Sequence, residues 1–385
     1  MYPVIQEEIM EKHLLIVARW PLGGIRTYMR YLFRHLPAHY HLTLLASQTH
    51  EDAALMEDAV EYGARLIIMR GTGTKGLAVA AFRELRTNRY DVILSQGFIS
   101  AMAVYMANLF FRVPHIITIH GILEPKYLTG RFGGLKRFFL RKMITGITVL
   151  YAVSNDILSH LYEQFPGLEN HGPRAIVIPN GIEPVEFDQL PAIPVKLREK
   201  MVVDDSTFLF GFFGRFMPQK GFDLLIDAID IIRQKDPGRA FLVAAVGSGD
   251  YLREYQTAIR ERELEQYFHF LPFQPQVYHL YPQVDSIVMP SRWEACPLLP
   301  MEALCMGTPV IASDCIGLRE TVADTPTMVF ASEDVKGLSE LMLGCMQNNS
   351  VDTFQRFASA ARARYDVSKS ASELVKFIEN MQDWK

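Results

Sequence analysis

Two carboxylates eight positions apart, Glu294 and Glu302, stand in Pro290-Ser291-Arg292-Trp293-Glu294-Ala295-Cys296-Pro297-Leu298-Leu299-Pro300-Met301-Glu302, a segment that reads as a loop becoming a helix. In the first turn of that helix, Glu302 would be kept ionised by the macrodipole, ready to accept two vicinal hydroxyls. Glu294, on the loop, could accept hydroxyls of a second sugar. An N-terminal acid that only satisfies its helix dipole is the plain structural alternative. Two cations occupy a second place, Phe213-Gly214-Arg215-Phe216-Met217-Pro218-Gln219-Lys220-Gly221, after an apolar strand and before a helix near Phe222. A planar guanidinium fork and a compact ammonium in one turn suit a pyrophosphate and would stabilise it as it departs. Two solvated loop cations are the alternative there.

Glycine turns mark two further strand ends. Trp20-Pro21-Leu22-Gly23-Gly24-Ile25-Arg26 and Val246-Gly247-Ser248-Gly249-Asp250 each follow an apolar strand and open a helix, so their backbone N–H groups could approach an anion or a sugar. Neither is the spaced glycine fingerprint of dinucleotide binding, which disfavours a dehydrogenase. His120 and Ser154 close two more strands, where ligands of open α/β sheets bind. Ser154 reads equally as a helix N-cap before Asn155-Asp156.

These residues need a scaffold of short apolar runs alternating with helical patterns, and the chain supplies one. Candidate strands lie at 14–18, 42–46, 65–69, 92–95, 115–119, 149–153 and 175–178, with helical patterns at 24–36, 99–111, 135–145 and 156–165. A proline-bearing passage from Pro179-Asn180-Gly181 to Pro194 interrupts the rhythm. A second series follows, with strands at 207–213, 241–246, 269–271, 286–289 and 310–312. The expected fold is α/β, two Rossmann-like doubly wound domains facing across a cleft. Residues 1–182 form the first, 183–366 the second, and a helix from about 367 to 385 crosses back onto the first.

Composition agrees with this scaffold. The chain has 385 residues, 49% apolar and 21% charged, with 25 Gly and 21 Pro, so it is neither fibrous nor disordered. Its 39 basic and 43 acidic side chains give a net charge of -4, which argues against dedicated nucleic-acid binding. Cys296, Cys305, Cys315 and Cys345 have no Cys-x-x-Cys spacing, so neither a disulfide framework nor a zinc site is expected. The acidic N-terminus is unlike a signal peptide, and the longest apolar stretch, 101–111, is short of the roughly 20 residues of a membrane span. A cytoplasmic protein is expected, with contact to the inner face of the membrane left open.

In their order along the chain, these places resemble the GT-B-fold retaining glycosyltransferases of family 4. The Gly23-Gly24 turn, His120, Tyr151-Ala152-Val153-Ser154, Pro179-Asn180-Gly181-Ile182, Gly214-Arg215 with Lys220-Gly221, Gly247-Ser248-Gly249, Pro290-Ser291 and the Glu294/Glu302 pair all follow the family's sequence. The resemblance implies transfer of a sugar from a nucleotide diphosphate donor, UDP-sugar first and GDP-mannose second, to an acceptor hydroxyl on a sugar or glycolipid. It implies a donor-binding C-terminal domain and an acceptor-binding N-terminal one. Arg215 and Lys220 would then hold the diphosphate, and Glu302 the ribose. Glu294, with Ala295, Cys296, Pro297 and Leu298, would hold the transferred sugar, and His120 would lie at the reacting centre. Phe273 and Gln274 match the stretch that contacts the base. This chain departs from the family's Gly-Phe-Gly after the first Glu, since Pro297 has no N–H, and carries Gly121 where many relatives have Asp. No metal and no cofactor beyond the nucleotide-sugar co-substrate are expected. The competing activities are a nucleotide-sugar 2-epimerase of the same fold and a non-catalytic nucleotide-sugar-binding module.

One charged segment stands apart from this set. Between Glu124 and Asp156 there is no acid, while Lys126, Arg131, Lys136, Arg137, Arg141 and Lys142 alternate with aromatic and apolar residues. On a helix from Leu135, one face carries Leu135, Phe138, Phe139 and Met143 and the other Arg137 and Arg141. Two readings stay open: the apolar face packs on the sheet, or the basic side and the loop 127–132 rest on anionic lipid. No residue pattern specifies an oligomeric state.

Overall fold

The computed structural model describes residues 10–71, 73–124, 128–187, 196–204, 206–274, 276–348 and 350–381. The chain divides into two compact units, Met1–Gly181 with Val367–Lys385, and Ile182–Asp366.

The first unit runs β1 (Lys12–Ala18), α1 (Gly24–Arg34), β2 (Tyr40–Ser47), α2 (Asp52–Glu61), β3 (Arg65–Met69), α3 (Thr74–Thr87), β4 (Val92–Gln96), α4 (Gly97–Phe111), β5 (His115–Ile119), α5 (Gly133–Thr145), β6 (Val149–Ala152), α6 (Asn155–Gln164), α7 (Leu168–His171) and β7 (Arg174–Val177). Its strands form a parallel sheet in the order β3-β2-β1-β4-β5-β6-β7. Leu14 to Val17 of β1 are wholly buried, the unbroken apolar run of a strand covered on both faces.

The second unit runs α8 (Leu197–Met201), β8 (Phe208–Phe213), α9 (Phe222–Lys235), β9 (Phe241–Val246), α10 (Leu252–Glu261), β10 (Phe268–Leu271), β11 (Ser286–Met289), α11 (Leu298–Cys305), β12 (Val310–Ser313), α12 (Leu318–Val322), β13 (Met328–Phe330), α13 (Val335–Gln347) and α14 (Val351–Arg364). Its parallel sheet is ordered β10-β9-β8-β11-β12-β13. Phe210, Phe212, Phe216, Phe222, Phe241 and Phe268 build its core, and Phe222 stands edge-on to Phe212 at 4.7 Å. Phe222 is the first residue of α9, so its burial anchors the loop that ends at Gly221. Truncation to Ala would cost about 3–5 kcal/mol and free that loop.

The chain passes between the units twice, and the two passages are adjacent. The Ile182 N–H donates to Tyr365 O at 2.8 Å, and Ile182 pairs with Asp366 in an isolated parallel bridge. Beyond them, α15 (Val367–Asn380) packs on α1, and Ser370 Oγ donates to Pro179 O at 2.7 Å.

Candidate functional site

In both sheets the strand order reverses once, between β1 and β4 and between β8 and β11. The connections leaving such a pair diverge to opposite faces and open a crevice at the carboxyl ends of the strands. In the second unit, the loops after β8 and β11 meet there. Lys220 Nζ donates to Glu294 Oε1 at 2.6 Å, and Ser291 Oγ to the same oxygen at 2.7 Å. Gln219 Nε2 donates to Trp293 O at 3.0 Å, and the Arg292 N–H to Gln219 O at 2.8 Å. Gly221 is at φ 63°, where a Cβ would overlap the Pro290 carbonyl, so glycine is required on both grounds.

Arg292 staples this contact. Its guanidinium donates to both oxygens of Asp223, at 2.8 and 2.7 Å, and to Pro218 O and Glu333 Oε1. Burial would raise the Asp223 carboxyl, but the Arg292 fork outweighs it and holds the group below its ordinary value. Sequence reading named Arg292 without a role, because its partner lies 69 positions away. Arg215, by contrast, is exposed and has no hydrogen bond or ion pair with described residues.

Glu302 does not lie in the first helical turn, as expected. Pro297, in extended backbone, is the N-cap, α11 begins at Leu298, and Glu302 falls in the second turn. Pro300 permits this early start because first-turn N–H groups have no intrahelical acceptor to lose. Tyr281 Oη donates to Glu302 Oε2 at 3.0 Å, and the Tyr281 ring packs on Phe213 at 4.9 Å. Tyr281 was not recognised from sequence. Between the carboxylates, Cys296 turns inward, where Thr321 Oγ1 approaches its Sγ at 3.8 Å. Gly317, at φ 75°, backs this loop so closely that a Cβ would overlap the Glu294 and Ala295 carbonyls. Phe273 and Gln274 follow β10 at the same end of the sheet, and Phe273 is 57% exposed.

The Gly247 turn differs from expectation. The Gly247 N–H donates to Leu271 O at 3.1 Å, and those of Gly214 and Phe216 go to Val246 O and Ser248 O. A Cβ on Gly247 would overlap Gly214 O. These glycines let the loops after β8 and β9 cross, and the Gly247 amide is committed to the protein, not to a phosphate.

The first unit repeats the pattern at its own switch point, where the Arg19 N–H donates to Ser100 Oγ at 3.0 Å. The Gly23 amide does meet an anion, but the chain's own: Glu51 Oε2 at 3.4 Å, which also accepts from Arg26 at 2.9 Å. Gly24 is the first residue of α1. His120, just past β5, shares a hydrogen bond of 2.7 Å between Nε2 and Gln96 Oε1. Tyr28 stands edge-on to its ring at 4.7 Å. Burial lowers His120 to about 3, so the imidazole is neutral at physiological pH. With Gln96 Oε1 as acceptor, Nε2 carries the proton and Nδ1 is left to accept. Ser154 caps α6, its Oγ accepting from the Ile157 N–H at 3.2 Å.

The basic segment departs from one of its two readings: most of its apolar face is not packed on the sheet. Lys126 and Tyr127 lie outside the described residues. Only Met143 of the apolar set is buried; Leu135, Phe138 and Phe139 are 55, 56 and 61% exposed. Arg137 and Arg141 donate to the carbonyls of Gln164 and Pro166, at the C-terminus of α6, where unsatisfied carbonyls and the dipole attract cations. The arginines are tied down and the rings face outward. Lys136 is exposed on α5, and Arg131 lies over the Phe132 ring at 5.7 Å.

Among the described residues, no group of three His, Cys, Asp or Glu side chains is placed to hold a metal ion, and no helix is long and apolar enough to cross a membrane.

Comparison with known proteins agrees with this arrangement. The profile of Glycosyltransferase Family 4 matches residues 22–186, and that of Glycosyl transferases group 1 matches residues 196–364. D-inositol 3-phosphate glycosyltransferase of Frankia alni is 28% identical over 249 residues, covering 61% of this chain and 60% of that protein. The lipopolysaccharide core biosynthesis mannosyltransferase LpsB of Rhizobium meliloti is 27% identical over 179 residues, covering 45% and 50%. The matches therefore span only about half to three-fifths of these relatives' lengths. The crystal structure of HepE from Anabaena with UDP and glucose superposes with a TM-score of 0.81 at 18% identity, covering 96% of this chain and 100% of that one. That likeness shows the two-domain GT-B fold. With both units matched by the family's profiles, the chain belongs to the family 4, group 1 glycosyltransferases.

Proposed function

We propose that this protein transfers a sugar from a nucleotide diphosphate donor to an acceptor hydroxyl, with retention at the anomeric carbon and without a metal ion. The observation that carries the reading is the meeting of the β8 and β11 loops, which sets Lys220, Glu294 and the exposed Arg215 at one switch-point crevice. Arg215 and Lys220 bind the diphosphate and offset the charge that grows on its leaving oxygen. Glu302, oriented by Tyr281, accepts the ribose hydroxyls. Glu294 accepts hydroxyls of the transferred sugar once Lys220 has turned to phosphate. Neutral His120 offers Nδ1 to a hydroxyl at the reacting centre. Retention follows the family resemblance. Metal independence is supported by the two cations, which are placed to do a metal's electrostatic work.

HepE was solved with UDP and glucose, which favours a UDP-hexose as donor; the mannosyltransferase LpsB keeps GDP-mannose second. The name of LpsB, a lipopolysaccharide core biosynthesis mannosyltransferase, supports a role in cell-surface glycan or glycolipid synthesis. The four cysteines, buried and joined by no disulfide, support a cytoplasmic setting. The test is incubation of the purified chain with a panel of nucleotide sugars and candidate acceptors, with the product's anomeric configuration read by NMR. Retained configuration in a new glycoside supports the proposal. An inverted product, or interconversion of the sugar nucleotide with no acceptor present, overturns it.

A further inference from the structure

The helices α3, α4 and α5 lie side by side on one face of the first sheet. α3 and α4 share a buried core of Leu77, Ala81, Leu85, Ala103, Val104 and Ala107, and Tyr105 of α4 donates to Lys142 O of α5 at 3.4 Å. Their outer surface is apolar. Nine of the nineteen large apolar side chains exposed among the described residues belong to these three helices, so the exposure is concentrated and not scattered. Phe82 of α3 stands edge-on to Phe110 of α4, 6.2 Å between ring centroids. Along α4, Met102, Met106 and Phe110 are 51, 62 and 77% exposed at helical spacing, and on α5 Phe138 and Phe139 are exposed one turn before Lys142, whose carbonyl Tyr105 of α4 meets.

The charge around this surface has one sign. From residue 92 to residue 155 the sequence holds seven Lys and Arg and a single acid, Glu124, although the whole chain is net negative. Lys136 and Lys142 on α5, Arg112 after α4, and Arg83 and Arg86 on α3 are exposed. The acid of α3, Glu84, is turned aside to Arg65, Asn88 and Tyr90. An apolar plate rimmed by cations is complementary to an anionic lipid bilayer, whose headgroups meet the cations while its acyl boundary receives the rings. A second copy of the chain would bring the same cations against themselves.

We propose that the α3–α4–α5 face docks the protein on anionic bilayers, with Phe110, Phe138 and Phe139 seated in the acyl boundary and the lysines among the headgroups. The proposal is independent of the transfer reaction, because docking is read with neither donor nor acceptor present. The full chain is sedimented with vesicles of phosphatidylcholine alone or mixed with phosphatidylglycerol. Wild type should bind the mixed vesicles at least about tenfold better, and more weakly as salt rises from about 0.05 to 0.5 M. Met106→Ser/Phe110→Ser/Phe138→Ser and, separately, Lys136→Glu/Lys142→Glu should each lose about tenfold or more in partitioning while keeping the wild-type Tm. Phe110→Trp should keep binding, and its indole fluorescence should be quenched by lipids brominated on the acyl chain. Absence of wild-type binding, wild-type partitioning by the serine variant, or an unquenched indole in the Phe110→Trp variant would overturn the proposal. So would a solution dimer that the serine substitutions abolish, which would assign the face to a second copy.

Discussion

Lys220 Nζ lies 2.6 Å from Glu294 Oε1, and this pair ties together the loops that follow the neighbouring strands β8 and β11. The carboxylate is 7% exposed and the ammonium 23%, so both charges are partly removed from water. Ser291 Oγ holds the same oxygen, and that bond remains if the lysine leaves. A diphosphate entering the crevice competes with Glu294 for Lys220. Exchange of partners would then join donor docking to the release of Glu294 toward the sugar.

Arg215→Ala and Lys220→Ala should each lower turnover by about 10², the scale of losing one preorganised donor to developing charge. Their stabilities should differ. Arg215 has no partner among the described residues, so its loss should leave Tm unchanged. Loss of Lys220 strands a buried carboxylate and should cost about 1–3 kcal/mol. Steady-state rates and thermal melts of both variants check this, and near-normal turnover in both would refute the diphosphate assignment.

Glu302 and Glu294 should separate by the part of the donor they read. Glu302 is held by Tyr281 and Glu294 by Lys220 and Ser291, so they belong to different hydrogen-bonded groups. Glu302→Ala should weaken binding of the bare nucleoside diphosphate, and Tyr281→Phe should do so to a smaller degree. Glu294→Ala should spare that affinity and blur discrimination among sugars. Equal losses of diphosphate affinity in calorimetry would count against the division.

Activity should persist in excess EDTA, because Arg215 and Lys220 are assigned the charge compensation that a divalent ion would otherwise supply. The check is turnover in chelator, then after adding magnesium or manganese. Restoration by either ion of activity lost in EDTA would sink this assignment.

What could be read from the sequence depended on how local each signal was. Arg215, Lys220 and Glu294 were legible because strand, glycine and charge follow one another within a few positions. The partners of Arg292 and of the Gly23 amide, Asp223 and Glu51, were not, since only folding brings residues 69 and 28 positions apart together. Gly247 was read by its capacity to expose an amide, whereas its missing Cβ serves the crossing of two loops. The helix α3 escaped notice because its buried stripe is Leu77, Ala81 and Leu85, and alanine gives the apolar period little contrast. The apolar and basic faces of α5 were assigned from spacing alone, and spacing does not say which face a neighbouring helix end will claim.

Burial keeps His120 neutral while Gln96 holds its ring through Nε2, and this sets the pH dependence. Burial holds the imidazole near 3 against an ordinary 6.5, so the folded chain refuses a proton that the unfolded chain accepts between those values. Stability from a neutral His120 is therefore complete above about 6.5 and declines as pH falls toward 3. His115, wholly buried with Nε2 2.7 Å from Ser95 Oγ, is lowered to about 3 by burial as well and adds with the same sign. Wild type should thus lose stability on acidification below about 6.5 while its turnover shows no histidine titration across about pH 5–8. Gln96→Glu would place a carboxylate against Nε2 and stabilise the imidazolium, raising the His120 pKa. That variant should acquire a limb in its pH–rate profile within this range, as Nδ1 becomes a donor at low pH and an acceptor at high pH. Gln96→Leu removes the orienting acceptor without adding charge, and should lower kcat with no new limb. Profiles of kcat for the three proteins, with proton NMR of the imidazole, provide the check. A flat Gln96→Glu profile with an unchanged His120 titration would show that the side chain at position 96 is not coupled to the ring's protonation.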